Sequence, residues 1–150
     1  MNALALFNRF KKLPGGTWLY SRAVCLTAPY FSSISPRITE VRPGLVVVHM
    51  RKRRSVENHL KTVHAIAMCN MAELAGGMLT DVSVPPGARW IPSGMNVRYI
   101  AKAKTDLVAT ADGSRIDWSQ GGSIVVPVSV RDTAGTEVFH AAITMNVKLA

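Results

Sequence analysis

Apolar positions along the chain change period several times, and each change predicts a different element. In Asn2 to Lys12, Leu4, Leu6, Phe7 and Phe10 recur at helical spacing before Leu13-Pro14-Gly15-Gly16 stops the run. A second helix is predicted over Thr17 to Leu26, followed by a connector, APYFSSISPR, rich in proline and serine. From Arg37 the period becomes two, and RITEV and GLVVVHMRKR flank Pro43-Gly44 as a β-hairpin. The nearly unbroken apolar stretch TVHAIAMCNMAELAGGM, Thr62 to Met78, is predicted as a central helix with Thr62 as N-cap. MLTDVSV, a Pro-Pro-Gly loop and RWIPSG come next. MNVRYIAKAKTDLVATA then alternates, with Met95, Val97, Tyr99, Ala101 and Ala103 on one face and Asn96, Arg98, Lys102 and Lys104 on the other. It is expected to be one long half-buried strand. SIVVPVSVRD and EVFHAAITMNVKL pair about DTAG, with Phe139, Ala141, Ile143, Met145 and Val147 on the inner face; Pro127 points to an edge position or a bulge.

A hairpin, one buried helix and three or four further antiparallel strands define an α+β class, a sheet curled around a helix that fills its inner face. The 150 residues are expected to form one domain, with residues 1–34 a helical segment packed on a core of residues 35–150. Apolar content of 48% against 18% charged residues excludes a disordered chain. A net charge of +9 attracts anions, including nucleic acid, acidic lipid and nucleotide-bearing molecules. Cys25 and Cys69 suggest neither a metal site nor a disulfide framework, so no metal or cofactor is expected and the compartment reads as reducing. The basic residues Arg9, Lys11 and Lys12 follow the first apolar run, the reverse of a secretory signal, and no stretch approaches the roughly 20 residues of a membrane span. The chain reads as cytoplasmic and soluble. The two amino-terminal helices read as packing elements, a membrane-surface anchor being the alternative.

Glu73 stands alone among apolar neighbours. A helix apolar all round is buried, and a buried carboxylate is costly unless paired or used. At about 100° per residue, Thr62, Ile66, Cys69, Asn70, Gly76 and Gly77 share its side, while Met68, Met71, Ala75 and Met78 lie opposite. The side bearing Glu73 therefore has small or polar neighbours and room for a ligand. Asn58, His59 and His64 precede the helix, whose unpaired N–H groups near Ala65 can stabilise an anionic oxygen. A carboxylate that activates water and donors that polarise a carbonyl suit acyl transfer. The competing readings are a structural ion pair for Glu73, a capping role for His64, a solvated His59 and an ordinary turn at Asn58.

Asn58, then His64, then Glu73 nine residues on, followed by Gly76 and long antiparallel strands, resembles the hotdog-fold thioesterases of the phenylacetic-acid-degradation type. RKRRSVENHLKTVHAIAMCNMAELAGGM, with SRAVCLTAPYFSSISPRITEVRPG and SVPPGARWIPSGMNVRYIAKAKTDL, is similar to the bacterial hotdog group called DUF4442 over nearly the whole chain. The resemblance implies a homodimer or dimer of dimers, with sites between subunits that hydrolyse an acyl-CoA or acyl carrier protein thioester. It implies Glu73 as general base or nucleophile, Asn58 and His64 as positioning groups, and the Ala65 N–H facing the thioester oxygen. Asn70, Gly77 and His59 complete the expected substrate-binding set. The sequence departs from the pattern at Ala65 and Ile66, which replace a Gly-Gly pair, and at Gly77, which has no hydroxyl. These departures leave a noncatalytic acyl-CoA or lipid binder as the alternative. A hydroxyacyl thioester dehydratase, using His59 and Glu73, ranks below both. Arg51, Arg53 and Arg54 are candidate ligands for coenzyme A phosphates, or else a solvated strand end. Nucleic acid is disfavoured, since no aromatic interleaving accompanies the charge.

Overall fold

The computed structural model describes residues 2–150. Helix α1, Ala3–Phe10, is capped by Asn2, whose side chain accepts from the Leu4 and Ala5 N–H groups. Helix α2, Gly16–Thr27, packs on it, with Phe7 edge-on to Tyr20 at 5.1 Å between ring centroids. The expected connector forms a 3-10 helix, Pro29–Ile34. Strands β1, Arg37–Arg42, and β2, Leu45–Met50, make the expected hairpin, and Gly44 supplies the positive φ of its turn. Helix α3, Ala65–Ser83, follows, then β3, Arg89–Tyr99, β4, Leu107–Asp112, β5, Gly122–Arg131, and β6, Glu137–Lys148.

All strand pairs are antiparallel, and the six form one sheet in the order β1-β2-β4-β5-β6-β3. The sheet's inner face wraps α3, as expected. Phe139, Ala141, Ile143, Met145 and Val147 of β6 are buried beneath it, together with Met71, Ala75 and Leu79 of the helix. Among the described residues no helix is long and apolar enough to cross a membrane.

The two edges of the sheet are treated differently. At β1 the buried Ser21 of α2 accepts the Ile38 N–H at 2.8 Å, so the helix satisfies a strand donor that has no ladder partner. Ser21→Ala leaves that donor buried and unpaired, and is expected to lower unfolding free energy by about 1–3 kcal/mol in urea titration. A loss below 0.5 kcal/mol would mean that water reaches the edge. The outer edge of β3 has no such cover, and Ile91, Met95 and Tyr99 are exposed along it.

Five expectations are corrected. The long helix begins at Ala65 with His64 as its cap rather than at Thr62, whose hydroxyl and N–H are held by Asn58. It also runs past Met78 to Ser83, because nothing breaks it before Pro85; the buried Thr80 hydroxyl is satisfied by the Gly76 carbonyl. The expected single strand across Met95 to Ala111 is two, β3 and β4. The Ile100 and Ala101 N–H groups both turn to the Val138 carbonyl and end the ladder. β3 is exposed along most of its length rather than half-buried, since it is the outermost strand. Pro127 sits on an interior strand with no bulge at it. Its missing N–H costs no ladder bond to β4, whose pairing stops at Ala111 and Val128.

Candidate active site

Glu73 projects from α3 on the rim of a cavity of about 710 Å3 between the amino-terminal helices and the body of the fold. Tyr20, Ala23 and Val24 of α2, Phe31 of the 3-10 helix and Trp90 of β3 supply its apolar walls. Glu73, Gly77 and Asp81 follow one another at single-turn intervals along the helix and all reach this cavity. Among the described residues no ion pair holds Glu73, so the structural pairing with His or Arg is not what the molecule builds. An exposed carboxylate against an apolar cavity is free to act on a ligand seated there.

The glycines beside Glu73 serve packing as well as space. A Cβ at Gly76 would lie 2.9 Å from Ile143 Cδ1, so this glycine lets α3 settle on β6 and does not open the Glu73 side. A Cβ at Gly77 would lie 3.1 Å from Trp90 Cη2; the indole covers this turn and donates from Nε1 to Asp81 Oδ1 at 3.2 Å. Tyr20 also lines the cavity. Burial and the Asp81 carboxylate push its phenol up to about 12, so it stays a neutral hydroxyl, donating to the Ala3 carbonyl.

The segment before α3 is organised by Asn58. Its Oδ1 accepts from the Leu60 and Thr62 N–H groups at 2.9 and 3.2 Å, and its Nδ2 donates to Thr62 Oγ1 at 2.9 Å. The side chain is thus committed to the turn, which brings the His64 N–H onto the Val56 carbonyl at 2.8 Å. His64 Nδ1 accepts the Ile66 N–H at 3.0 Å, which leaves the proton of the neutral ring on Nε2. Ala65 N–H has no acceptor among the described residues. His59 is exposed at the turn. Asn70 is buried and donates to Ser33 Oγ at 3.0 Å, while its Oδ1 has no partner. That unmade bond one turn from Glu73 is expensive to keep.

Within one chain these residues fall into two groups. Glu73 lies eight residues beyond Ala65, and at 1.5 Å per residue the helix separates them by about 12 Å. Arg51 and Arg53 line a second concavity rather than this one, and Arg54 is exposed at the start of a 3-10 turn, Arg54–Val56. The sequence reading missed the cavity walls on α1 and α2, and Asp81. The signal for Asp81 was its spacing, two turns beyond Glu73 on the same stripe. For α2 it was the small and apolar set Tyr20, Ala23, Val24 and Thr27 at helical intervals.

A curled antiparallel sheet in this strand order around one long helix is the hotdog fold, and the solved structures similar to this chain share it. One, a structural-genomics crystal structure, is 47% identical with a TM-score of 0.90, covering 99% of each chain. Another, from Pseudomonas aeruginosa and described as a protein of unknown function and probable thioesterase, is 21% identical with a TM-score of 0.76, covering 91% of this chain and 96% of its own. A Haemophilus influenzae thioesterase is 14% identical with a TM-score of 0.76, covering 93% of this chain and 94% of its own. The chain belongs to the family described as Domain of unknown function (DUF4442), which it matches over residues 16–147. Among curated proteins it has no match.

Proposed function

We propose that this protein hydrolyses the thioester of an acyl-CoA or acyl carrier protein, with Glu73 as general base or nucleophile. The observation that carries the reading is the unpaired Glu73 carboxylate on the rim of a 710 Å3 apolar cavity. The acyl group enters the cavity, its thioester carbon stays at the rim, and Glu73 activates water there or attacks directly. The Ala65 N–H, at the positive end of α3, receives the developing oxyanion. His64 holds that end of the helix, Asn58 the turn before it, and Asn70, one turn from Glu73, ties α3 to Ser33. His59 is exposed on that same turn, and Gly77 lines the cavity beside Glu73.

This chemistry needs a second copy of the chain, because the roughly 12 Å between Glu73 and the Ala65 N–H is too far for both to touch one carbonyl. Two features support a homodimer that supplies the missing half. The outer edge of β3 is unpaired over eleven residues, and the exposed apolar side chains Ile66, Met95 and Tyr99 lie on α3 and β3. A second β3 continues the sheet and covers them; because that pairing consumes the β3 edge, a dimer of dimers uses a different surface.

The reading is tested by thiol release from aromatic, short, medium and long acyl-CoA thioesters. Hydrolysis of at least one class is expected. Ala23→Phe shrinks the cavity wall and is expected to raise KM for long chains about tenfold while leaving short chains unchanged. Equal effects on all chains would place the acyl group elsewhere. Ala65, Ile66 and Gly77 favour one second reading, a noncatalytic acyl binder, which predicts saturable binding of the panel and no thiol release from any member.

A further inference from the structure

The second concavity, about 870 Å3, lies across α2 from the first. One face of α2 lines the Glu73 cavity with Tyr20, Ala23, Val24 and Thr27; the other presents Trp18 and Arg22, one turn apart, to this cleft. Its floor is the outer face of the sheet. Arg37, His49 and Val108 stand in register across β1, β2 and β4, and they alternate with Ile38, Val48 and Leu107, which are buried in the core.

Four arginines from separate parts of the chain line this cleft, Arg22, Arg37, Arg51 and Arg53. Among the described residues none pairs with a carboxylate, because Glu40 and Glu57 are spent on Lys11, Arg42 and Lys52. The cleft's one acid, Asp106, turns its Oδ1 to the Lys52 N–H at 2.7 Å. Arg53 is already oriented, donating to the Ser33 carbonyl at 3.0 Å and to Ser55 Oγ. Burial, with Arg37 adding to it, shifts the His49 imidazole below its usual range and favours its neutral form. At the rim Ser35 is held at φ 44°, a strained conformation for a residue with a side chain. The Trp18 indole is 56% exposed at the wall, with the Arg22 guanidinium 6.0 Å from its ring.

Unpaired arginines around a concavity suit a ligand with more than one phosphate oxygen, since each planar fork donates two parallel bonds. An exposed indole beside them suits a flat aromatic ring. We propose that this cleft binds a phosphate-bearing nucleotide, the guanidinium groups holding the phosphates and Trp18 stacking on the base. The ligand is either the nucleotide half of a coenzyme A thioester or a free nucleotide, and the site stands independently of the hydrolysis assigned to Glu73.

Calorimetric titration of the full chain with adenosine 3′,5′-bisphosphate is expected to show saturable binding, with unphosphorylated adenosine showing none. Arg37→Ala and Arg51→Ala are each expected to weaken it about tenfold. Trp18→Ala is expected to weaken the bisphosphate while leaving inorganic pyrophosphate unchanged. Absence of saturable binding, or affinity indifferent to both arginine variants, overturns the proposal. Glu73→Gln is expected to bind normally, so a failure of hydrolysis and a failure of this site are read separately. Arg37→Ala also separates the two sources. A raised KM for acyl-CoA but not for the matching acyl-pantetheine identifies the substrate's own nucleotide, and an unchanged KM identifies a free one.

Discussion

Glu73→Gln is expected to lower kcat for thioester hydrolysis by about 10²–10⁴-fold, with KM and folding nearly unchanged. The amide matches the carboxylate in shape but cannot accept a proton from water or form an acyl intermediate. Because Glu73 is exposed and among the described residues no ion pair holds it, the substitution removes no ion pair seen there, and its effect on stability is expected to stay within about 0.5 kcal/mol. Loss of rate therefore cannot be attributed to unfolding. Asp81→Asn is the matched control. It removes a carboxylate two turns along the same stripe, one already engaged with Trp90, and is expected to retain most of the turnover. Stopped kinetics on acyl-CoA with thiol detection decide the matter. Unchanged kcat in Glu73→Gln, or equal loss in both variants, would remove Glu73 from the reaction.

Those parts of the fold whose residues determine one another locally were legible in the sequence. The turn at Pro43-Gly44, the inward series from Phe139 to Val147 and the apolar surface around Glu73 each follow from a single period. What escaped depends on a side chain acting outside its usual preference, on a local bond whose use the sequence does not disclose, or on partners distant in sequence. The cap of α3 is a histidine nitrogen, which the usual preference for Ser, Thr, Asp or Asn assigned to Thr62. Asn58 was legible as a polar loop residue, but only the structure shows its side chain consumed by its own turn. The alternation of Met95, Val97 and Tyr99 marks one face of a strand, yet alternation does not say whether anything covers that face. The role of Ser21 as lid on the β1 edge leaves no trace in its neighbours. α2 read as a packing element because its hydrophobic pattern is weakly one-sided. In the fold each of its two faces lines one concavity, and a helix that walls two concavities has no simple stripe.

Ala65→Pro is expected to lower kcat by about 10²–10³-fold, the cost of one missing oxyanion donor. Proline is tolerated at the first helical position, where the N–H has no intrahelical acceptor, and it asks the preceding residue for extended backbone. His64 already has φ −64° and ψ 138°, so the helix and its cap are expected to survive with only the donor deleted. Paired with Glu73→Gln, this variant also locates the two halves of the site. Each protein alone is expected to be nearly inactive, one without the carboxylate and the other without the donor. On co-expression in equal amounts, the proposed dimers are expected to be mixed in half of the assemblies, each mixed dimer having one site with Glu73 from one chain and the Ala65 N–H from the other. Recovery of about a quarter of wild-type activity is therefore expected for a two-fold dimer with shared sites. If both groups served one carbonyl from the same chain, every site in a mixed dimer would lack one of them and no activity would return. The roughly 12 Å that α3 sets between residues 65 and 73 predicts recovery, because under the proposed mechanism the donor reaches the carbonyl served by Glu73 only from a second chain.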